Sequence, residues 1–329
     1  MGVQITGVGA YVPDKTVTND ELARRVDTSH EWILSKTGIH ERRISAPEEA
    51  PSDMACQAAL NCLSHAGVDK GAVDLIVVAC ASPDQIQPAV ACLVQEKLGV
   101  AEGRCPAFDV NSVCAGFVFA CDVAQSMMLA APEQFRHALV IGTDTFSKIL
   151  NWDDRRSCVY FGDGAGAVLF SQTSGDERRM HFQLGSDGRG SRYIGVPAGG
   201  TRMPVDHKVL EQRLDKFRMD GPKVWDFAVE MVPRAIRQLL ADHGLTPADV
   251  DLLVLHQSNL RMIEAIMQDL GLPMEKTVTT VETYGNTAAA SIPITLHKAL
   301  ESGRLRPGSR VVLCGFGGGL SWGAALLDW

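Results

Sequence analysis

Three residue types placed far apart in the chain could do chemistry together. They are Cys114 in "FDVNSVCAGFVFACDVAQSMML" (108–129), His256 in "LLVLHQSNLRM" and Asn286 in "VETYGNTAAASIP". A cysteine at the mouth of an apolar segment reads first as packing, because its side chain is a small hydrophobe. It also reads as a nucleophile. Asn111 and Ser112 are helix-capping types, and the stretch after Cys114 is apolar apart from Asp122. The positive end of such a buried helix favours thiolate over thiol. His256 ends a strongly apolar run, where open α/β sheets place site residues, although strand-end histidines are commonly structural. Asn286 follows a Tyr-Gly turn, and either caps it or offers a side-chain N–H to a substrate oxygen. At this level both readings stay open at each position.

The elements that must position these groups alternate. Apolar or β-branched runs predict strands at 74–80, 137–144, 160–170, 251–257, 310–317 and 323–329. Helix-like stretches lie at 52–66, 88–98, 114–130, 224–243, 260–270 and 288–302, with Pro233 expected to kink the fourth of these. The alternation predicts an α/β protein with a largely parallel sheet. There is also an internal echo. "AGVDKGAVDLIVVACAS" (66–82) is similar to "HGLTPADVDLLVLHQSN" (243–259), and "FGDGAGAVLF" to "GFGGGLSWGAALL", in the same order. Two duplicated halves are expected, 1–172 carrying the cysteine and 173–329 carrying the histidine and asparagine, joined within "SQTSGDERRM" (171–180). A site between them follows from where strand ends converge. The glycine clusters give no G-x-G-x-x-G between strand and helix and no Walker lysine, so a nucleotide cofactor is rejected.

Composition narrows the class. In 329 residues the formal net charge is −8, which argues against a nucleic-acid partner. No apolar run is expected to reach the roughly 18–20 residues that span a bilayer, and the first twenty residues lack a signal-peptide pattern, so a cytoplasmic protein without membrane association is expected. The nine cysteines are scattered without C-x-x-C, which excludes a disulfide framework and a zinc site; no metal is expected.

Taken jointly, "VNSVCAGFVFA", "HQSNLR", "YGNTAAAS", "GFGGGLSWGAAL", "FGDGAGAVLF" and "DTSHEWILSKTGIHERR" (27–43) resemble the β-ketoacyl-acyl carrier protein synthase III family of the thiolase superfamily, over essentially the whole chain. The resemblance implies a thiolase-like fold with a layered α-β-α-β-α core. It implies a homodimer that uses acyl-CoA and malonyl-acyl carrier protein, with coenzyme A thioesters as substrates and no cofactor. Cys114 would take the acyl group, the N–H groups of Cys114 and Gly318 would stabilise the oxyanion, and His256 and Asn286 would hold the malonyl thioester oxygen during decarboxylative Claisen condensation. By the same resemblance Trp32 and Arg155 would flank the adenine, and Thr28 and Asn259 would contact the nucleotide or pantetheine arm. Phe161 and Phe316 would wall the acyl pocket, and Gln87 would close it from the partner subunit. Gln257 and Arg261 would receive the carrier protein.

The chain departs from the family pattern on the docking face. Gln268, Asp269 and Asp226 stand where lysines are common, Pro222 replaces a polar contact, and Arg156 replaces a glycine. Fewer cations would slow steering of an acidic carrier. A specialised relative with another acceptor is therefore the alternative. A non-catalytic thiolase-fold subunit is disfavoured by the intact Cys114, His256 and Asn286, and a hydrolytic cysteine enzyme by the asparagine and glycine donors.

Overall fold

The run LIVVA, buried at every position, becomes a central strand because a strand covered on both faces needs apolar side chains pointing both ways. The structure is a computed structural model that describes residues 2–100, 103–174 and 179–329. One sheet holds β1 (Gly2–Tyr11), β2 (Leu75–Ala79), β3 (Ala107–Val110), β4 (His137–Asp144) and β5 (Gly164–Thr173), in the order β1-β5-β4-β2-β3. A second holds β6 (His181–Ser186), β7 (Leu252–Leu255), β8 (Arg310–Gly317) and β9 (Ser321–Asp328), in the order β7-β8-β9-β6. The junction expected within 171–180 lies, at 175–178, outside the described residues.

The sheets are mixed, not largely parallel. β2 runs parallel to β3 and β4, but β5 runs antiparallel to both β4 and β1. In the second sheet β7 and β8 are parallel, while β9 is antiparallel to β8 and β6. No helix crosses over between β8 and β9, and a connection of three residues can only return the chain antiparallel. The echo in the sequence is an echo in space. The series β2-β4-β5-β1 and β7-β8-β9-β6 share order and strand sense, with β3 added at the edge of the first sheet only.

The longer helices are α1 (His30–Thr37), α2 (Pro51–Ala66), α3 (Val90–Leu98), α4 (Gly116–Ala130), α5 (Gly221–Ala241), α6 (Leu260–Asp269) and α7 (Ser291–Glu301). Phe117 and Met128 of α4 and Ile292 and Leu296 of α7 pack with Val77 and Val140 of one sheet and Leu252 and Leu313 of the other, which forms the middle layer. α2 and α3 cover the outer face of the first sheet, and α5 and α6 that of the second. This is a layered α-β-α-β-α core of two duplicated halves. α5 continues through Pro233 from Gly221 to Ala241. The buried side of that helix, Val224 to Leu240, offsets the roughly 3 kcal/mol that an interior proline costs.

One expectation about membranes needs correction. The window Val113–Ala130, with mean hydropathy 1.7, is long and apolar enough to cross a bilayer by length and composition. Its apolarity has another use here, because α4 is enclosed between two sheets, with Phe117, Val118, Ala120, Cys121 and Ala124 wholly buried.

Candidate active site

Cys114 lies on a 3₁₀ turn, Val113–Ala115, that joins β3 to α4. The entry is strained: Val113 has φ 47°, and the left-handed region costs an L-residue roughly 1–2 kcal/mol. Asn111 helps hold it, its Oδ1 accepting from the Val113 N–H at 3.2 Å. Ser112 makes no capping hydrogen bond, so only one of the two expected caps acts. From the other sheet β8 comes very close. A Cβ on Gly317 would lie 3.0 Å from Cys114 Cβ and 3.3 Å from its Sγ, and one on Gly315 would lie 3.0 Å from Ala115 Cα. Bare positions two apart on one strand face are what let the strand reach the thiol. Gly318 follows, between the side chains of Ile194 and Val113.

Burial first, and the Asp144 carboxylate second, push the Cys114 thiol well above its ordinary range. The expected preference for thiolate is therefore not met in the resting protein. A helix end is worth up to about 2 kcal/mol, and enclosing a charged sulfur costs more than that.

His256 continues β7 by one residue, its N–H donating to the Cys314 carbonyl at 2.8 Å. Burial holds the ring neutral, down to about 3. Nδ1 lies 2.7 Å from Ser291 Oγ at the start of α7. The Ser291 hydroxyl is wholly buried and has no other acceptor among the described residues, so it is assigned as donor to Nδ1. The imidazole proton then stands on Nε2. The ring meets Phe316 edge-on at 5.1 Å.

Asn286 is pinned through its backbone. Its N–H donates to the Tyr160 carbonyl at 2.8 Å and its carbonyl accepts from the Gly162 N–H at 3.0 Å. Gly162 is required there, since a Cβ would fall 2.0 Å from the Tyr284 carbonyl oxygen. The Asn286 Oδ1 accepts from the Ala288 N–H at 2.9 Å, which leaves Nδ2 as the free donor.

Cys114, His256 and Asn286 line one cavity of about 290 Å³ together with Phe161, Phe316 and Gly317. It adjoins a wider cleft of about 760 Å³, and the two share Tyr160, Phe217, Met219, Gly221 and Pro222. The outer cleft is basic, with Arg156, Arg192, Arg213, Lys216 and Arg218 against Asp154 and Asp220.

Other expected contacts fall at different places. Trp32 lines the outer cleft, and the Arg155 guanidinium lies over its ring at 5.2 Å while Nη1 donates to the Asp27 carbonyl at 2.8 Å. Thr28 lines neither cavity, and its buried hydroxyl has no partner among the described residues. Asn259 lines the inner cavity, and its Oδ1 caps α6 by accepting from the Met262 N–H at 2.9 Å. Gln87 is exposed and lines neither cavity. Gln257 overturns its expected docking role. It is wholly buried, its Oε1 accepting from the Thr280 and Val281 N–H groups and its Nε2 donating to the Leu255 carbonyl. Arg261 is half-buried and already engaged, with Glu264 at 2.9 Å and the Leu34 and Ser35 carbonyls at 3.4 and 3.3 Å. Asp269 pairs with Arg237, and Arg156 makes two bonds to Asp154.

Two wall residues escaped the sequence reading. Phe146 stacks on Phe161 at 4.7 Å, and Phe217 meets both edge-on at 5.3 and 5.0 Å, beside Cys114. Phe146 stands two residues beyond the end of β4, the kind of position that drew attention to His256. Phe217 sits in "RLDKFRMDG", where no periodicity marks it.

With this geometry in place, the comparisons with known proteins are specific. The family described as 3-oxoacyl-[acyl-carrier-protein] synthase III matches residues 108–188, and its C-terminal region matches residues 240–329. The β-ketoacyl-[acyl-carrier-protein] synthase III of Symbiobacterium thermophilum is 45% identical over 327 residues, covering 99% of this chain and 98% of that one. The crystal structure of 3-oxoacyl-[acyl-carrier-protein] synthase III from Aquifex aeolicus superposes with a TM-score of 0.90 at 36% identity over 100% of both chains. The priming β-ketosynthase of the R1128 polyketide pathway gives 0.90 at 32% identity over 99% of this chain and 96% of that one. On sequence and on structure alike, the chain belongs to the β-ketoacyl-acyl carrier protein synthase III family.

Proposed function

We propose that the protein is an acyltransferase that condenses an acyl-CoA with malonyl-acyl carrier protein and so starts fatty-acid chains. The observation that carries this is the convergence of one thiol and two neutral N–H donors, His256 Nε2 and Asn286 Nδ2, on a single small cavity. In the first half-reaction Cys114 Sγ bonds to the thioester carbonyl carbon, the C–S bond to coenzyme A breaks, and the thiol proton leaves with the departing thiolate. The N–H groups of Cys114 and Gly318 hold the oxyanion, each donor of this kind being worth about 3–4 kcal/mol. In the second, His256 and Asn286 donate to the malonyl thioester oxygen. The C–C electron pair released with carbon dioxide is held as an enolate, attacks the acyl carbonyl, and expels the Cys114 thiolate. A neutral imidazole suits this step, because the task is to donate a hydrogen bond without exchanging a proton.

The basic outer cleft takes the phosphates of coenzyme A, and Trp32 with Arg155 the adenine. Two copies associate, the exposed edge of β3 and the loop of Ile86 and Gln87 facing the partner. The second reading, a specialised relative with another acceptor, draws on Asp226, Gln268 and Asp269 and on the similarity to a polyketide priming synthase.

Intact-mass analysis tests the first step. A short acyl-CoA should add one acyl group to the protein and none to Cys114→Ala, while His256→Ala and Asn286→Ala should keep acylation and lose malonyl decarboxylation. Absence of an adduct from every short or medium acyl-CoA would sink the assignment. Product masses from malonyl-carrier protein and from free acceptors decide between the two readings.

A further inference from the structure

Asp144 ends β4 wholly buried, and no arginine or lysine pairs with it among the described residues. A lone carboxylate in that position is costly unless donors surround it. They do. Its Oδ1 accepts from the Ala81 and Ser82 N–H groups, each at 2.9 Å, and from the Ser82 hydroxyl at 2.7 Å. Its Oδ2 accepts from the Ala289 N–H at 3.0 Å. One oxygen therefore grips the exit of β2, and the other grips the 3₁₀ turn Ala288–Ala290 in the opposite half of the molecule.

That turn needs an outside hold. Ala288 has φ 49°, a strained value for a residue with a Cβ. Its local bonds are Ala288 N–H to Asn286 Oδ1, Ala290 N–H to the Thr287 carbonyl and Ser291 N–H to the Ala288 carbonyl, and none of them engages the Ala289 N–H. β4 is shaped to receive it, since a Cβ on Gly142 would fall 2.3 Å from the Ala289 carbonyl oxygen. The turn begins two residues after Asn286, so whatever fixes it also fixes the direction of Asn286 Nδ2. The mechanism above gives Asp144 no task.

We propose that Asp144 is a positioning residue for the malonyl half-reaction, holding the Ala288–Ala290 turn so that Asn286 Nδ2 meets the thioester oxygen. The inference rests on the condensing function argued above. Its charge has a second consequence, because the Cys114 thiol is held up in part by that carboxylate. One group thus supports decarboxylation and restrains the nucleophile.

Asp144→Asn keeps the size, removes the charge, and turns an amide towards N–H donors. It should lower malonyl decarboxylation about tenfold or more, since a misplaced donor is lost to the transition state. Alkylation of Cys114 by iodoacetamide at fixed pH should instead rise about threefold or more, and acyl transfer from acyl-CoA should not fall. In the Asn286→Ala background the same change should cost less than about twofold, because the group it positions is gone. Ser82→Ala, which trims one donor to the carboxylate, should give the same asymmetry at smaller size and decides the matter if Asp144→Asn does not fold. Equal loss in both half-reactions with alkylation unchanged would overturn the proposal, as would full additivity with Asn286→Ala. A wild-type protein that takes no acyl group would sink the condensing function itself, a result distinct from either.

Discussion

Burial raises the Cys114 thiol and lowers the His256 imidazole for one reason: each group is driven towards its neutral form. A thiol held above its usual range leaves little thiolate near neutrality, and that fraction grows tenfold per pH unit. Alkylation of Cys114 by iodoacetamide should therefore climb without a plateau from about pH 7 to 9. A plateau below about pH 8 would reveal a thiolate-stabilising group that burial does not mask. His256, held down to about 3 from 6.5, stays neutral across the working range. Decarboxylation by Cys114→Ala should show no histidine limb between about pH 5 and 8. The same shift stabilises the fold above 6.5 and is lost as pH falls towards 3, because the unfolded chain takes up a proton that the folded chain refuses. Its size is on the order of 5 kcal/mol, so His256→Asn should soften the acid limb of unfolding followed by circular dichroism. Residue types at turns and strand ends made Cys114, His256 and Asn286 stand out in the sequence. Gln257 misled because neighbours at a strand end point opposite ways, so that the residue after a cavity histidine turns inward to bind backbone.

Among the elements, those with strong periodicity were legible and those set by packing were not. α6 and β8 lie within a residue or so of their expected bounds, because an apolar stripe or a β-branched run is written locally. The turn that carries Cys114 is different. Helix was expected from 114, but the chain makes a 3₁₀ turn first, forced by Val113 in the left-handed region and by β8 pressing on its far side. The aromatic wall is likewise tertiary: Phe146, Phe161 and Phe217 come from three separate segments, and the last is tied down by its N–H donating to the Ile149 carbonyl at 2.8 Å. The wall stands beside the thiol, and if it acts as a steric stop its size should set acyl length. Phe217→Ala should extend the accepted acyl chain by about two carbons in an acyl-CoA panel, and should destabilise the fold by up to about 3–5 kcal/mol in thermal or urea unfolding. A lower melting temperature with an unchanged acyl profile would mean that Phe217 supports the fold without bounding the chain.

For the molecule as a whole, duplication explains why the site lies where it does. Corresponding β2 and β7 run parallel to β4 and β8, the two sheets enclose α4 and α7, and Cys114 from one half lines one cavity with His256 and Asn286 from the other. The echo was readable because helix end, strand and glycine bend recur together. The mixed strand senses were not, since nothing local distinguishes a hairpin return from a crossover. Gln87 belongs to this largest scale. It is exposed and absent from the cavity of its own chain, yet family resemblance places its counterpart at the acyl pocket of a second copy. A mixed dimer separates the possibilities. Let one copy carry Cys114→Ala and the other Gln87→Phe, so that the only live thiol sits in the Gln87→Phe copy. If loops are exchanged, that thiol is closed over by a native Gln87, and its acyl-length profile should match the wild type. Were each pocket closed by its own loop, the profile would follow that of the Gln87→Phe homodimer. Product masses from purified mixed dimers, set against the two homodimers, distinguish these outcomes whichever chain length the pocket prefers.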